Sequence, residues 1–153
     1  MSADATWRAK QGVLAVIRGL ALPGIVAVHS QIRLDTTNLI FPCIAVTSEG
    51  ESEELAAGDT TNREDWFPLR VCLMDNDDPM IRHDNEEKYL TWRRALLNAF
   101  HQRPRDGRGF LPGSPETQEI KVIPRVIYDP KIRDYGYMVS GFVLRLKIFE
   151  TRR

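Results

Sequence analysis

The sequence predicts an α+β fold in which two main helices pack on one face of an antiparallel four-stranded sheet. Apolar residues recur at three- and four-residue spacings in two segments, and four other segments are short apolar or alternating runs. These segments follow one another in the order α-β-β-α-β-β. Because strands that are neighbours in sequence usually pair, each β-β unit is expected to be an antiparallel hairpin. With 153 residues, the chain (1–153) is expected to be a single domain.

The first helix is predicted from Ala5 to Ala21, and Pro23-Gly24 ends it. One broad face collects its large apolar side chains, namely Trp7, Val13, Leu14, Ile17 and Leu20. The apolar run that follows, Ile25 to Ile32, is compatible with an extended lead-in or with an edge strand.

Two strands form the first predicted hairpin. Asn38 to Thr47 is rich in apolar and β-branched residues, and Pro42 favours an edge position or a bulge there. Trp66 to Met74 alternates between two faces, and the turn sequence DNDDP follows it. The segment between these strands, residues 48–65, holds seven acidic residues and one arginine, so it is predicted to be a long mobile loop. As a candidate contact surface it supplies Glu49, Glu51, Glu53, Glu54 and Asp59.

The second helix, from His83 to Pro104, organises the predicted fold. Asp84 and Glu87 have the spacing of a capping box, and Pro104 prevents the helix from continuing. Its apolar face consists of Tyr89, Trp92, Leu96, Leu97 and Phe100. The opposite stripe is polar and is a candidate seam between subunits: Lys88, Thr91, Arg94, Asn98 and Gln102.

A second long loop, 103–118, precedes the last hairpin. It is rich in glycine and proline and carries Arg103, Arg105 and Arg108, which are further candidate interface residues. The last two strands are predicted at Glu119 to Tyr128 and at Tyr137 to Glu150.

The composition argues against several classes of function. The 21 Lys and Arg residues balance the 21 Asp and Glu residues, so no global field attracts nucleic acid or a membrane surface. A domain of zero net charge associates more readily than a charged one. The two cysteines, Cys43 and Cys72, lie in predicted strands and are expected to be buried free thiols in a reducing cytoplasm. Arg18 interrupts the first apolar run, so neither a signal peptide nor a membrane span is expected.

The residues also give no pattern for catalysis or for a bound cofactor. The DNDDP segment lacks the glycine of a calcium-binding loop, and the three histidines have no ligand-like spacing. No nucleophile elbow, dinucleotide-binding or phosphate-binding motif occurs. We therefore expect no enzyme, no metal and no cofactor. A small nucleic-acid-binding module that uses the loop arginines with Arg145 and Lys147 stays an alternative, although no known nucleic-acid-binding signature is present.

In the order of its elements and in their residue patterns, the chain resembles the tail terminator (tail completion) proteins of long-tailed bacteriophages. The resemblance covers nearly the whole chain. It rests on the N-terminal amphipathic helix, the FPCIAV strand, the acidic hairpin loop, the YLTWRRALLNAF helix and a closing hairpin with a Tyr-Gly-Tyr turn. Other small neck and head-completion proteins share much of this pattern.

The resemblance implies a structural role and a set of partners. Family members form a six-fold ring on the end of the tail tube, stop its polymerisation and offer the surface that joins tail to head. It therefore implies a homo-hexamer that contacts the tail tube protein and a neck or head-completion protein. DNA would pass through the lumen without sequence-specific binding. The expected location is the tail-neck region of a virion that is assembled in the cytoplasm of a host bacterium.

Overall fold

The computed structural model describes residues 5–35, 37–48, 53–55, 62–76, 86–101, 111–124 and 137–151. These ranges contain two helices and six strands. In chain order they are α1 (Ala5–Leu20), β1 (Ala27–Gln31), β2 (Cys43–Thr47), β3 (Glu53–Leu55), β4 (Asn62–Asn76), α2 (Glu86–His101), β5 (Thr117–Ile123) and β6 (Tyr137–Thr151).

The sheet is mixed, so the prediction of a four-stranded antiparallel sheet in the order α-β-β-α-β-β is wrong. Five strands lie side by side in the order β1-β2-β4-β6-β5, and the short strand β3 pairs with β4. β1 runs parallel to β2, whereas the other pairs are antiparallel. Both predicted hairpin pairings are present, because β2 pairs with β4 and β5 pairs with β6.

The long pairing of β4 with β6 forms the centre of the sheet. It joins fifteen residues of each strand, from Asn62 opposite Thr151 to Asn76 opposite Tyr137. β4 begins four residues before the predicted start at Trp66, and β3 also lies within the acidic segment that was predicted to be a loop. β2 is shorter than predicted because it begins only after Pro42, which follows a cis peptide bond.

Both helices cover the same face of the sheet and form the main core with it. α2 contributes Tyr89, Trp92, Leu96 and Phe100, as its periodicity predicted, and α1 contributes Val13, Leu14 and Ile17. The sheet supplies alternate residues of its central strands: Ile44, Val46, Leu69, Val71, Leu73, Phe142, Leu144, Leu146 and Ile148. The alternation predicted for the strand from Trp66 is therefore confirmed, and β2 and β6 alternate in the same way.

A smaller apolar cluster lies outside the main core. It contains Leu39, Cys43, Ala45, Cys72 and Met74, and Leu34 and Phe41 pack against it. The strand residues of this cluster alternate with the core residues, so they lie on the face of the sheet that is opposite the helices. Both cysteines are buried free thiols, as the sequence predicted.

The segment before β5 packs closely against α1. Leu111 and Ser114 are buried, and the hydroxyl groups of Ser114 and Thr117 lie 2.8 Å apart. A methyl group at Gly12 would lie 2.9 Å from both Leu111 Cβ and Pro112 O. Gly12 is therefore required by this close approach, although glycine weakens the helix itself.

Replacing Gly12 by alanine should destabilise the fold by about 1–3 kcal/mol, because Leu111 and the Pro112 carbonyl would have to move. Gly19 in the same helix is the matched control, since a methyl group there meets nothing within 4 Å. Gly19→Ala should stabilise the protein by up to about 1 kcal/mol through helix propensity. Urea unfolding followed by circular dichroism measures both changes. Equal effects at the two positions would contradict the close packing at Gly12.

Candidate functional site

A group of basic residues lies on the face of the sheet opposite the helices, which we call the open face. Arg145 of β6 is in register with Lys121 of β5 and with Pro68 of β4. Lys147 is in register with Trp66, and Arg70 lies further along β4 on the same alternation. We call the set of Arg70, Lys121, Arg145 and Lys147 the basic face.

Trp66 lies beside the basic face and contacts two of its cations. The Lys121 ammonium nitrogen is 4.6 Å from the centroid of the indole ring, and the Arg145 guanidinium carbon is 5.3 Å from it. Such cation–π contacts contribute about 0.5–1 kcal/mol each when they are exposed. Trp66 is only 8% exposed although no described helix covers this face. The two cations therefore lie over the ring, and their apolar stems shield it from water.

The basic face keeps most of its charge accessible. Arg70 and Lys121 are exposed, and Arg145 and Lys147 are half-buried. Among the residues whose side chains are described, Glu119 is the acidic residue nearest in register, opposite Lys147. Among the side chains that the structure describes there, this face therefore carries four cations and the carboxylate of Glu119.

The opposite charge is concentrated where β3 meets the first residues of β4. Glu53 of β3 pairs with Trp66, Glu54 pairs with Asp65, and Leu55 pairs with Glu64. Four acidic residues therefore lie within two short paired strands, which we call the acidic end: Glu53, Glu54, Glu64 and Asp65. Its backbone positions run from the register of Trp66 toward one end of β4.

The structure locates some of the interface residues that the sequence predicted. Arg94 is exposed on α2, on the helix side of the sheet. The backbones of Glu53 and Glu54 lie in β3. The remaining candidates lie outside the described residues: Glu49, Glu51, Asp59, Arg103, Arg105 and Arg108. An interface role for all of these residues stays a prediction.

Sequence reasoning noted Arg145 and Lys147 but missed their grouping with Trp66 and Lys121. The alternation of β4 had already separated Trp66 and Arg70 from the core residues of that strand. The missing information was the pairing of β4 with β6, because these strands are distant in sequence. A search for cations flanking an aromatic residue on the non-core sides of different strands would have found the group.

Other buried charges in the molecule hold the fold together. Lys10 is 5% exposed and donates hydrogen bonds to Gln31 O at 2.9 Å and to Ser48 Oγ at 3.0 Å. Burial lowers the pKa of Lys10. Arg93 of α2 donates to Ser140 Oγ and to Gly141 O of β6, and burial lowers its pKa as well. These hydrogen bonds connect the helices to the sheet and to the residue after β2, so they give both side chains a structural role.

Asp75 accepts a hydrogen bond from the Tyr89 hydroxyl group at 2.8 Å, and the Lys88 ammonium group lies 3.8 Å from the same carboxylate oxygen. Lys88, which was predicted to belong to the polar stripe of α2, is therefore half-buried against the core side. It also lies 4.9 Å from the centroid of the Trp92 ring. Of the described residues in the polar stripe of α2, Lys88 is thus partly buried, whereas Thr91, Arg94 and Asn98 are exposed.

Within the described ranges, no group of three His, Cys, Asp or Glu side chains is arranged to hold a metal ion. Neither of the two described helices has the length and apolar character needed to cross a membrane.

Comparisons with known proteins give a match at the level of the fold. No protein-family model matches the sequence, and no curated protein matches it. The fold is similar to one chain of a solved structure described as "Virion of native gene transfer agent (GTA) particle". The match has a TM-score of 0.52 at 10% sequence identity and covers 97% of this chain and 100% of that chain. At this identity the likeness establishes a common fold over the whole chain.

Proposed function

We propose that the protein is a structural component of a bacteriophage-type virion, and that it forms a ring on the end of the tail tube. In that position it would terminate tail polymerisation and provide the surface that joins tail to head. One observation carries this proposal: the whole chain shares its fold with a complete chain of a virion. The resemblance of the sequence to tail terminator proteins supplies the more specific role.

Two physical features support an assembly role over catalysis. Four cations are grouped on the basic face, and the net charge of the chain is zero, and both features suit contacts between subunits more than a diffusing enzyme. The proposed partners are further copies of this chain in a hexamer, the tail tube protein and a neck or head-completion protein. DNA would pass through the ring without base-specific contacts.

The proposal predicts a defect in tail length when the protein is absent. In a strain that produces the particle, deletion of the gene should give unjoined heads together with tails that exceed the normal length. Electron microscopy of negatively stained lysates measures both outcomes, and expression of the wild-type chain from a plasmid is the control. Normal tails of normal length without the protein would refute the role. Tails of normal length that fail to join heads would instead favour another neck or head-completion protein.

The basic face favours a second candidate, a small nucleic-acid-binding module. Its four cations could contact phosphates, but Lys121 and Arg145 cover the Trp66 ring, so the ring is not available for stacking on a base. If four phosphates were neutralised, the logarithm of the DNA affinity would fall with the logarithm of salt concentration with a slope of about −3.6. A titration of duplex DNA at several salt concentrations measures this slope. A slope near zero would exclude this candidate.

A further inference from the structure

We infer that the outer edge of β1 and the groove beside it bind an extended segment of another virion protein, which adds a strand to the sheet. The segment places apolar side chains from alternate positions into the groove and a carboxylate beside Arg18. Only the origin of the segment, a second virion protein, rests on the proposed function.

An apolar groove lies between the C-terminal end of α1 and the edge of the sheet. Its volume is about 330 Å³, which falls within the range of about 300–1,000 Å³ for pockets that bind ligands. The large apolar residues that line it are Ile17, Leu22, Ile25, Val26, Val28 and Ile44. Val28 and Ile44 are in register on the helix side of the sheet. A strand added outside β1 would therefore direct alternate side chains toward the groove.

β1 is the edge strand beside this groove, and it is prepared for a further strand. Its inner side pairs with β2, and no described strand pairs with its outer side. Such an edge presents unpaired backbone N–H and C=O groups. β1 is also fixed at both ends, because Val26 N donates to Pro42 O at 3.0 Å and Lys10 donates to Gln31 O at 2.9 Å. A strand that is fixed in advance loses less conformational entropy when a partner pairs with it.

The two edges of the sheet differ, because β1 lacks the protection that β5 has. β5, the opposite edge strand, carries the exposed Lys121, contains a register shift after Thr117 and is followed by Pro124. Charged residues, bulges and proline are common means of protecting an edge from unwanted pairing. The five residues of β1 include no Lys, Arg, Asp, Glu or Pro. Its edge is therefore open to pairing with another chain.

Exposed apolar side chains are concentrated around β1. Among the described residues, five large apolar side chains are strongly exposed, and three of them flank this strand: Val26, Ile32 and Ile40. Val26 directly precedes β1 and Ile32 directly follows it. The backbone of Ile40 lies against β1, because Ile40 N donates to Nε2 of His29 at 3.3 Å. Apolar side chains grouped on one surface mark a contact with another protein.

The charge beside the groove specifies a carboxylate in the bound segment. Arg18 lines the groove and is exposed, and no carboxylate in the described part of the chain pairs with it. A carboxylate that reaches the guanidinium group can accept one or two charge-assisted hydrogen bonds from it. An acidic residue in the segment would therefore fix its position along the edge.

The other edge of the same fold does not supply this segment. In β5 the large apolar side chains on the helix side, Ile120 and Val122, already pack against the main core of their own chain. Glu119 alternates with them, so its carboxylate lies on the opposite face. β5 of a second copy would thus bring neither a free apolar side chain nor a carboxylate to the groove. This favours a segment of a different protein.

A library of random ten-residue peptides tests the binding mode without assuming a sequence or a strand direction. It is selected on the wild-type chain after removal of the peptides that bind the Val26→Asp variant. The selected peptides should be apolar at alternate positions and should carry Asp or Glu on the same face. If no peptide is enriched, or if the enriched peptides lack the alternation or the acidic residue, the inference is wrong.

Fluorescence anisotropy with one selected peptide measures the contribution of each side chain. Val26→Asp should weaken binding by at least about 10-fold, and Leu90→Asp is its matched control, since these side chains are 61% and 58% exposed. Arg18→Glu should weaken binding by about 10-fold, and exchanging the acidic residue of the peptide for lysine should recover most of the loss. Arg94→Glu is the control for charge. Circular dichroism must show that all variants are folded. Equal effects at a groove position and at its control would contradict the site.

Methylation of the peptide backbone distinguishes strand pairing from a contact made by side chains alone. Methyl groups on the alternate amide nitrogens that face β1 should weaken binding by at least about 10-fold, because each removes a hydrogen-bond donor. Methylation of the other alternate amides should have little effect. Amide hydrogen exchange should slow in β1 when the peptide binds, and it should not change in β5. Equal effects of the two methylation patterns, or protection of β5 instead of β1, would overturn the inference.

The particle decides the origin of the segment. In the strain that lacks the gene, Leu90→Asp should restore joined particles and Val26→Asp should not. Normal particles with Val26→Asp would overturn the assignment to a virion protein. A wild-type dimer in which β1 is protected without peptide would assign the edge to a second copy instead. If deletion of the gene leaves tails and joining unchanged, the proposed function fails, whereas peptide binding by the purified chain is decided separately.

Discussion

Replacing Trp92 by alanine should destabilise the protein by about 3–5 kcal/mol, the largest loss expected from any one substitution considered for this chain. Trp92 is buried on α2, and its indole N–H donates to Pro23 O at 2.8 Å. Its ring lies 5.7 Å from that of Tyr89. A methyl group at Gly24, which has a φ of +88°, would lie 3.0 Å from the Trp92 ring. The substitution would therefore release the turn after α1 as well as the core.

Trp92→Phe separates the two contributions, because it keeps an aromatic ring but removes the donor to Pro23 O. It should cost about 1–3 kcal/mol, from the lost hydrogen bond and from the smaller ring. Trp7→Ala is the matched control: Trp7 is 55% exposed, and its loss should change stability by less than about 0.5 kcal/mol. Urea unfolding followed by far-ultraviolet circular dichroism suits all three variants, because it does not depend on tryptophan fluorescence. If Trp92→Ala cost no more than Trp7→Ala, the assigned packing of α2 would be wrong.

Trp92 also illustrates which parts of the fold could be predicted. The spacing of Tyr89, Trp92, Leu96 and Phe100 defines a helical face from the sequence alone, because helical periodicity is a local property. The strand β6 was recognised for the same reason, through its strict alternation. No local pattern indicated that the Trp92 indole N–H would donate a hydrogen bond to a turn 69 residues earlier.

Sheet order could not be predicted, because it depends on contacts between distant segments. Neighbouring strands were paired correctly, but the sheet is held together by β4 and β6, which are separated by α2 and β5. The residues of β1 fit an extended lead-in as well as an edge strand, because a five-residue edge strand without clear alternation has a weak pattern. The parallel partner of β1 is β2, and this pair makes the sheet mixed. A fold class inferred from local hairpins alone therefore missed the parallel edge.

For the candidate site too, the composition of each segment is readable from the sequence, whereas the pairing of distant strands is not. The acidic composition of residues 48–65 was visible in the sequence, and so was the basic character of β6 around Arg145. The register brings these two regions together, because it places Trp66 of β4 between Glu53 of β3 and Lys147 of β6. The acidic segment was interpreted as a loop because its charge disfavours burial. β3 nevertheless forms within it, since an edge strand can leave its side chains in water while its backbone pairs.

Raising the pH should remove stability through Cys43. Burial, with smaller contributions from Asp75 and Cys72, raises the pKa of the Cys43 thiol from 9.0 to about 12. In the unfolded chain this thiol loses its proton near pH 9, whereas in the folded protein it keeps the proton until about pH 12. The folded state therefore binds more protons in this interval, and the free energy of unfolding should fall by about 1.4 kcal/mol per pH unit. The full loss across the interval is about 4 kcal/mol.

Lysine and tyrosine residues also titrate in this range, so the thiol must be isolated by comparison. Cys72→Ala leaves Cys43 as the single thiol of the chain, and Cys43→Ala with Cys72→Ala is its matched control. Urea unfolding of both variants from about pH 8 to about pH 11 should show a steeper decline for the variant that keeps Cys43. The difference isolates the cost of placing a thiolate between β2 and the segment that covers it, because both variants share every other titrating group. Parallel pH profiles would mean that Cys43 ionises as easily in the folded protein as in the unfolded chain, and that the smaller apolar cluster admits water.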